Sequence, residues 1–368
     1  MEKSKYAATH YHQYLQLDKI LQAQDPRSAA DGKPAHDEML FIIIHQAYEL
    51  WFKQMIHELQ SIIDIMQHEN VDERSLNVIV HRLHRLIEIM ELLIQQIRVM
   101  ETISPLDFLD FRDYLFPASG FQSFQFRLTE TMLGLKTTQR ITYNGQPYHL
   151  ALEPQQQEDM LRIESQPSLL EIVEKWLERI PFIEFKNFNF LEHYKKAVVA
   201  MLAREQTAIQ QTPFLNDAEK IMRLQMLGNT DSYFQQVLDK NKHDEALANG
   251  SLKFSYRATI SALFITIYNT EPILSNPYQM LTKLMDLDEL LTTWRYRHAQ
   301  MVLRMLGRKI GTGGSSGHDY LRTTAQKHTI FGDLHNISTL LVNRTAVPDL
   351  PDYLKEELNF HFTRKERH

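Results

Sequence analysis

The chain has 368 residues, 43% of them hydrophobic, and a formal net charge of −6 from 40 basic and 46 acidic residues. That is enough apolar material for a substantial core, and no basic block points to nucleic acid or to an anionic membrane. The absence of cysteine excludes disulfides, thiolate catalysis, iron–sulfur clusters and cysteine-ligated zinc or haem. The polar start, Met1 to Tyr6, is not followed by the apolar stretch of a signal peptide. The longest apolar runs, Met39 to Ile44 and Ala197 to Ala203, are too short to span a bilayer. The expectation is a cytoplasmic protein with no membrane or nucleic-acid partner.

Residues 6–24 carry Tyr11, Tyr14, Leu15, Leu17, Ile20 and Leu21 at the spacing of an amphipathic helix, closed by a loop from Asp25-Pro26 to Lys33. A longer helix follows, with Asp37 as its N-cap and an end near Gln67. Its buried stripe is Phe41, Ile44, Tyr48, Trp51, Phe52, Met55 and Leu59, and His45 lies inside that stripe between Phe41 and Tyr48. One imidazole among aromatic rings has two readings: a core histidine satisfied by a polar neighbour, or a histidine facing a flat apolar ligand. Residues 71 to about 100 form the next helix, so the two make an antiparallel hairpin.

Ser104-Pro105 opens a short helix, Leu106 to Leu115, in which Phe108 and Arg112 share a face. A guanidinium there suits a substrate carboxylate, or pairs with Asp107, Asp110 or Asp113. Phe121 to Leu135 reads helical, and 136–155 reads as a loop with a small hairpin at Asn144-Gly145. Helical patterns return at 156–179, 189–211, 214–248, 252–268, 276–309, 317–342 and near 351–358. No alternating strand pattern, repeat or dividing linker intervenes. The fold class is therefore all-α, one large helical domain over 1–368, with residues 1–24 as an N-terminal segment and the polar stretch 214–250 as an appended helical hairpin.

Trp294, His298, Met301 or Val302, and Met305 make a second apolar stripe containing one histidine. A neutral buried imidazole of this kind can ligate haem iron, although a core histidine would look the same. Two histidines in separate aromatic stripes, with no cysteine and no HExxH motif, suit a haem with a proximal and a distal side better than they suit zinc. The run Gly311-Thr312-Gly313-Gly314-Ser315-Ser316-Gly317 lacks the Gly-Lys-Ser/Thr ending of a phosphate loop. It reads as a flexible linker, or as a closing loop whose Thr312 hydroxyl reaches a ligand.

Several longer runs then stand together in order: Asp37-Glu38 with Leu-Phe-Ile-Ile-Ile-His-Gln-Ala-Tyr-Glu-Leu-Trp-Phe-Lys-Gln, then Leu-Asp-Phe-Leu-Asp-Phe-Arg, Pro-Ala-Ser-Gly-Phe-Gln-Ser, Lys-Trp-Leu-Glu-Arg, Trp-Arg-Tyr-Arg-His and Gly-Thr-Gly-Gly-Ser-Ser-Gly. From about residue 10 to 345 the chain resembles the tryptophan 2,3-dioxygenase family. The resemblance implies an all-helical enzyme with one haem b per subunit that uses O2 and L-tryptophan to make N-formyl-L-kynurenine. It implies a homotetramer whose N-terminal segment helps to cover a neighbour's site. Residue by residue, it implies His298 as the axial iron ligand and His45 as the distal residue bonding the indole N–H. Phe41, Ile42, Ile43, Ile44 and Phe108 would lie along the substrate. Arg112 and Tyr11 would hold the carboxylate, Thr312 the ammonium and carboxylate, and Tyr14 would line the pocket from the adjacent subunit. Some relatives have asparagine where this chain has Arg297. Parts of a second, non-catalytic tryptophan site are matched by Glu73, Trp176, Arg179 and Pro181, but an arginine expected before Asp72 is missing, so that site is not expected here.

Overall fold

The computed structural model describes residues 8–142, 147–307, 317–347 and 349–358. The N-terminal stretch is not one helix. It forms α1 (Tyr11–Tyr14) and α2 (Leu17–Leu21), broken where Gln16 adopts φ 52°. After α3 (Arg27–Ala30) come the two long helices expected from periodicity, α4 (His36–Met66) and α5 (Glu73–Met100). The N-cap of α4 is Ala35 rather than Asp37. Asp37 and Glu38 lie in the first turn, where the helix dipole favours acidic groups. Glu38 is buried because it holds the preceding loop: it accepts from the backbone N–H of Arg27 at 2.8 Å and of Ser28 at 3.0 Å, and from the Ser28 hydroxyl.

Ser104 caps α6 (Pro105–Arg112) and Ser123 caps α7 (Phe124–Leu133), each serine accepting a first-turn N–H. Gly134 ends α7 at φ +133°, and a Cβ there would lie 2.7 Å from the Leu170 Cβ. Only glycine permits so close an approach of α7 to the helix that carries Leu170. The helical pattern over 156–179 divides at Pro167 into α8 (Pro154–Glu164) and α9 (Leu169–Glu178), because Ser168 and Glu171 form a capping box. A two-residue hairpin, β1 (Glu184–Phe185) against β2 (Phe188–Asn189), is too short to leave an alternating pattern.

Helices α10 (Phe190–Gln211) and α11 (Asp217–Leu238) fold back on each other. Within the polar stretch 214–250, the outer half of α11 is solvated. Its end, at Phe234, Val237 and Leu238, and α12 (Lys240–Ala248), at His243 and Ala246, enter the core. Apolar α13 (Tyr256–Ile267) precedes α14 (Ser275–Leu306). The region 317–342 resolves into α15 (Gly317–Lys327), α16 (Gly332–Asn336) and a 3₁₀ turn, and α17 (Asp352–Leu358) follows. The hairpin expected at Asn144-Gly145 falls outside the described residues.

The main core is the shared interior of α4, α5, α7, α9, α13 and α14, in which α14 lies chiefly along α5 and α4 along both α5 and α7. A separate apolar cluster gathers Ile44 of α4, Phe108 and Phe111 of α6, and Met305 of α14, with Met100 at the end of α5 and Ile103 just beyond it. This second cluster is where the elements bearing the two histidines and the arginine converge.

Candidate active site

His45 and Phe41 are one turn apart on α4, and their rings lie 4.1 Å apart. Phe41 also meets Phe108 at 5.9 Å and Phe111 at 5.5 Å, so α6 closes against α4 through aromatic edges and faces. The His45 Nδ1 lies 2.7 Å from the Phe41 carbonyl. A carbonyl only accepts, so Nδ1 carries the proton, and in the neutral ring Nε2 is an open acceptor. Burial lowers the pKa of His45 and outweighs the carbonyl bond, which acts to raise it. Yet His45 as a whole residue is exposed in this chain. A side chain that is desolvated and accessible at once lines a recess.

His298 faces the same space. Its pKa is pushed down to about 4, first by burial and then by the charge of His45. Its ring stacks on Trp294 at 5.3 Å, and Trp294 is walled in by Phe126 at 4.9 Å, Tyr48 at 6.0 Å and Phe52 at 6.1 Å. Tyr48 is itself fixed by donating to the Leu93 carbonyl at 2.8 Å. Both imidazoles are therefore neutral near pH 7 and held by aromatic packing. Among the described residues no hydrogen bond joins the His298 ring to the protein, and no three His, Cys, Asp or Glu side chains converge as a metal site. One neutral imidazole with an available nitrogen suits a metal that brings most of its own ligands, and does not suit a protein-caged zinc.

Arg112 follows Phe108 by one turn of α6 and is partly buried. Ile44 packs behind the recess with Phe108 and Met305. Ile42 is partly buried. Ile43 is 46% exposed, and two residues from both Phe41 and His45 it lies on the far side of α4, so within this chain it does not face the recess. Tyr11 and Tyr14 are 71% and 74% exposed among the described residues. Thr312 lies outside the described residues.

A buried charge cluster on the same side went unread in the sequence. Glu130 of α7 meets Arg127, Arg140 and Arg295. Glu49, the one charged residue within a turn of His45, accepts from the Ser123 hydroxyl at 2.6 Å.

The chain matches the family profile described as Tryptophan 2,3-dioxygenase over residues 1–341. It is 48% identical to the tryptophan 2,3-dioxygenase of Bdellovibrio bacteriovorus over 358 residues, 97% of this chain and 100% of that protein. Identity is 45% to the enzyme of the same name from Alteromonas mediterranea, covering 98% of this chain and 99% of that one. It is 44% to that of Dictyostelium discoideum, covering 97% and 90%. The chain belongs to the tryptophan 2,3-dioxygenase family. Membership spans the whole site of this tryptophan 2,3-dioxygenase family member: α4, α6, α7 and α14 all lie within the matched residues. No described helix is long and apolar enough to cross a membrane.

Proposed function

We propose that the chain is a haem-dependent L-tryptophan 2,3-dioxygenase that inserts O2 across the indole C2–C3 bond to give N-formyl-L-kynurenine, the first step of tryptophan degradation by the kynurenine route. The observation that carries this reading is the paired state of the two histidines. His298 is neutral, desolvated and open at its ring. His45 is neutral with its tautomer set by the Phe41 carbonyl. His298 would hold the iron of haem b. The cofactor, when bound, supplies the oxygen chemistry, and the protein supplies orientation and electrostatics.

The chain's own residues have distinct tasks. His45 Nε2 accepts the indole N–H, which fixes the edge of the ring that is presented. In this reading His45 binds substrate and does not hold the cofactor, which would be held by His298. Phe41 and Phe108 enclose the indole, and Ile42 and Ile44 support them from α4. Arg112 holds the carboxylate with two charge-assisted bonds, so one short helix grips both ends of the substrate. Thr312 would contact the ammonium and carboxylate. Tyr11 and Tyr14 are assigned to the carboxylate and the pocket wall of a neighbouring subunit. Their exposure, with that of Ile20 and Leu21, supports a homotetramer in which this arm is covered by another copy. We place the protein in the cytoplasm.

The deciding experiment is the absorption spectrum of protein reconstituted with haem, followed on adding L-tryptophan and then O2. Substrate-dependent spectral change with formation of N-formyl-L-kynurenine is expected. Haem binding with no product would leave a sensor or carrier, and no haem binding would overturn the reading.

A further inference from the structure

Helix α7 touches both histidine helices. At its start, the Ser123 hydroxyl donates to the Glu49 carboxylate at 2.6 Å, and the Gln125 Nε2 donates to the Glu49 carbonyl at 3.1 Å, one turn along α4 from His45. At its centre, Phe126 meets Trp294, and Trp294 meets His298. Towards its end, Glu130 is 1% exposed, with Oε1 accepting from Arg295 Nη2 at 2.8 Å. Its Oε2 accepts from Arg127 Nη1 at 3.2 Å and from Arg140 Nη1. Arg295 is 2% exposed and precedes His298 by three residues on α14, so the two side chains leave neighbouring positions of one face. The other arm of its fork, Nη1, donates to the His328 carbonyl at 3.2 Å.

Resting on the reading of His298 as the axial ligand, we propose that Glu130 is a positioning residue for it: by gripping Arg295, it sets the rotation of α14 about its own axis and hence the angle at which His298 is presented opposite His45. The charge balance supports a directional role for this pair. Arg127 and Arg140 already outweigh the single carboxylate, so Arg295 is not needed to neutralise it. What Arg295 adds is a planar fork fixed at two points, the Glu130 carboxylate and the His328 carbonyl. Apolar packing along α14 is non-directional and tolerates small rotations, whereas a buried guanidinium cannot leave its partners without a large desolvation cost. Because Ser123 and Gln125 fasten the other end of α7 beside His45, the same helix references both rings to one frame.

The test uses the haem-loaded protein. Arg295→Met leaves Glu130 with two arginines and should keep the helical fold. It should shift or broaden the ferrous iron–histidine stretching band and speed haem release about 10- to 100-fold, the usual effect of removing a group that orients a ligand. Arg295→Lys should restore part of the wild-type band. Arg140→Met removes an equally buried partner that is not on α14, and should lower thermal stability while leaving the band in place. A wild-type band and release rate in Arg295→Met, or the same band shift in Arg140→Met, would overturn the proposal. His298→Ala separates the two levels. If the band survives in that variant, the axial assignment fails and takes the proposal with it. If the band is lost there but unchanged in Arg295→Met, only the role of Glu130 fails.

Discussion

Gln46, the residue after His45, reaches back to the N-terminal arm: its side chain accepts from Gln24 Nε2 at 2.7 Å and donates to the Ala23 carbonyl at 2.9 Å. The arm that carries Tyr11 and Tyr14 is thus fastened next to His45, while Leu15, Ile20 and Leu21 of the arm are exposed. Deleting residues 1–20 should weaken both L-tryptophan affinity and the oligomer, because it removes the arm proposed to cover a neighbour's pocket. Gln46→Ala should do the same more mildly, by loosening the tether alone. Analytical ultracentrifugation and substrate titration of the two variants check this. An unchanged oligomer with unchanged activity in the deletion would show that the arm is dispensable.

His45→Ala should retain haem and lose affinity for L-tryptophan by the value of one hydrogen bond, about 0.5–1.5 kcal/mol or roughly 2- to 12-fold. The discriminating ligand is 1-methyl-tryptophan, which has no indole N–H to donate. Its binding should be nearly indifferent to the substitution. A six-coordinate ferrous spectrum in the wild type that vanishes in His45→Ala would instead make His45 an iron ligand.

Arg112→Leu should raise the KM for L-tryptophan strongly. A partly buried carboxylate left without its partner costs on the order of 2–5 kcal/mol, roughly 30- to 5,000-fold. Indole analogues without a carboxylate should lose far less, which separates a binding defect from a folding one. Equal handling of L-tryptophan by the variant and the wild type would assign Arg112 to an internal ion pair.

His328 gives a pH dependence of known sign. It is buried, its Nε2 accepts from the Ile141 N–H at 3.1 Å, and its pKa is pushed down to about 4, first by burial, with Glu130 opposing and Arg295, Arg140 and Arg127 adding to the fall. The folded value lies below the unfolded value of about 6.5, so the unfolded chain binds more protons between the two. Stability from this group is therefore complete above about pH 6.5 and is lost as pH falls towards 4. In the haem-free protein, His328→Phe should flatten the slope of the urea midpoint against pH across that window. An unchanged slope would mean that other groups carry it.

The long helices were legible because their stripes are long: α4, α5 and α14 repeat apolar residues over many turns, and no local choice contradicts them. The two short helices of the arm were not, since one left-handed residue, Gln16, breaks a pattern that otherwise reads as continuous. His45, His298, Phe108 and Arg112 were visible as chemistry set into apolar faces. The Glu130–Arg295 pair was not, because its partners are far apart in the chain and an ion pair leaves no periodic trace at either end. Two signals were present in hindsight. Arg295 lies on the same face as His298, and Arg127 and Glu130 are three apart on one helix. Each reads locally as a solvated charge, and only packing of α7 on α14 makes it a core contact.

The placement of the two histidines also governs when the recess first exists. His45 lies near the start of the chain and His298 near its end, roughly 250 residues apart, so at about 5–20 residues per second the second arrives some 10–50 s after the first. During that interval α4 and α5 can pair as a nascent hairpin, but the wall provided by α14 is still unmade. Until α14 is made, the aromatic stripe of α4 lacks the partner that Trp294 provides. The recess between His45 and His298 can therefore form only once α14 has been made, long after the helix that carries His45.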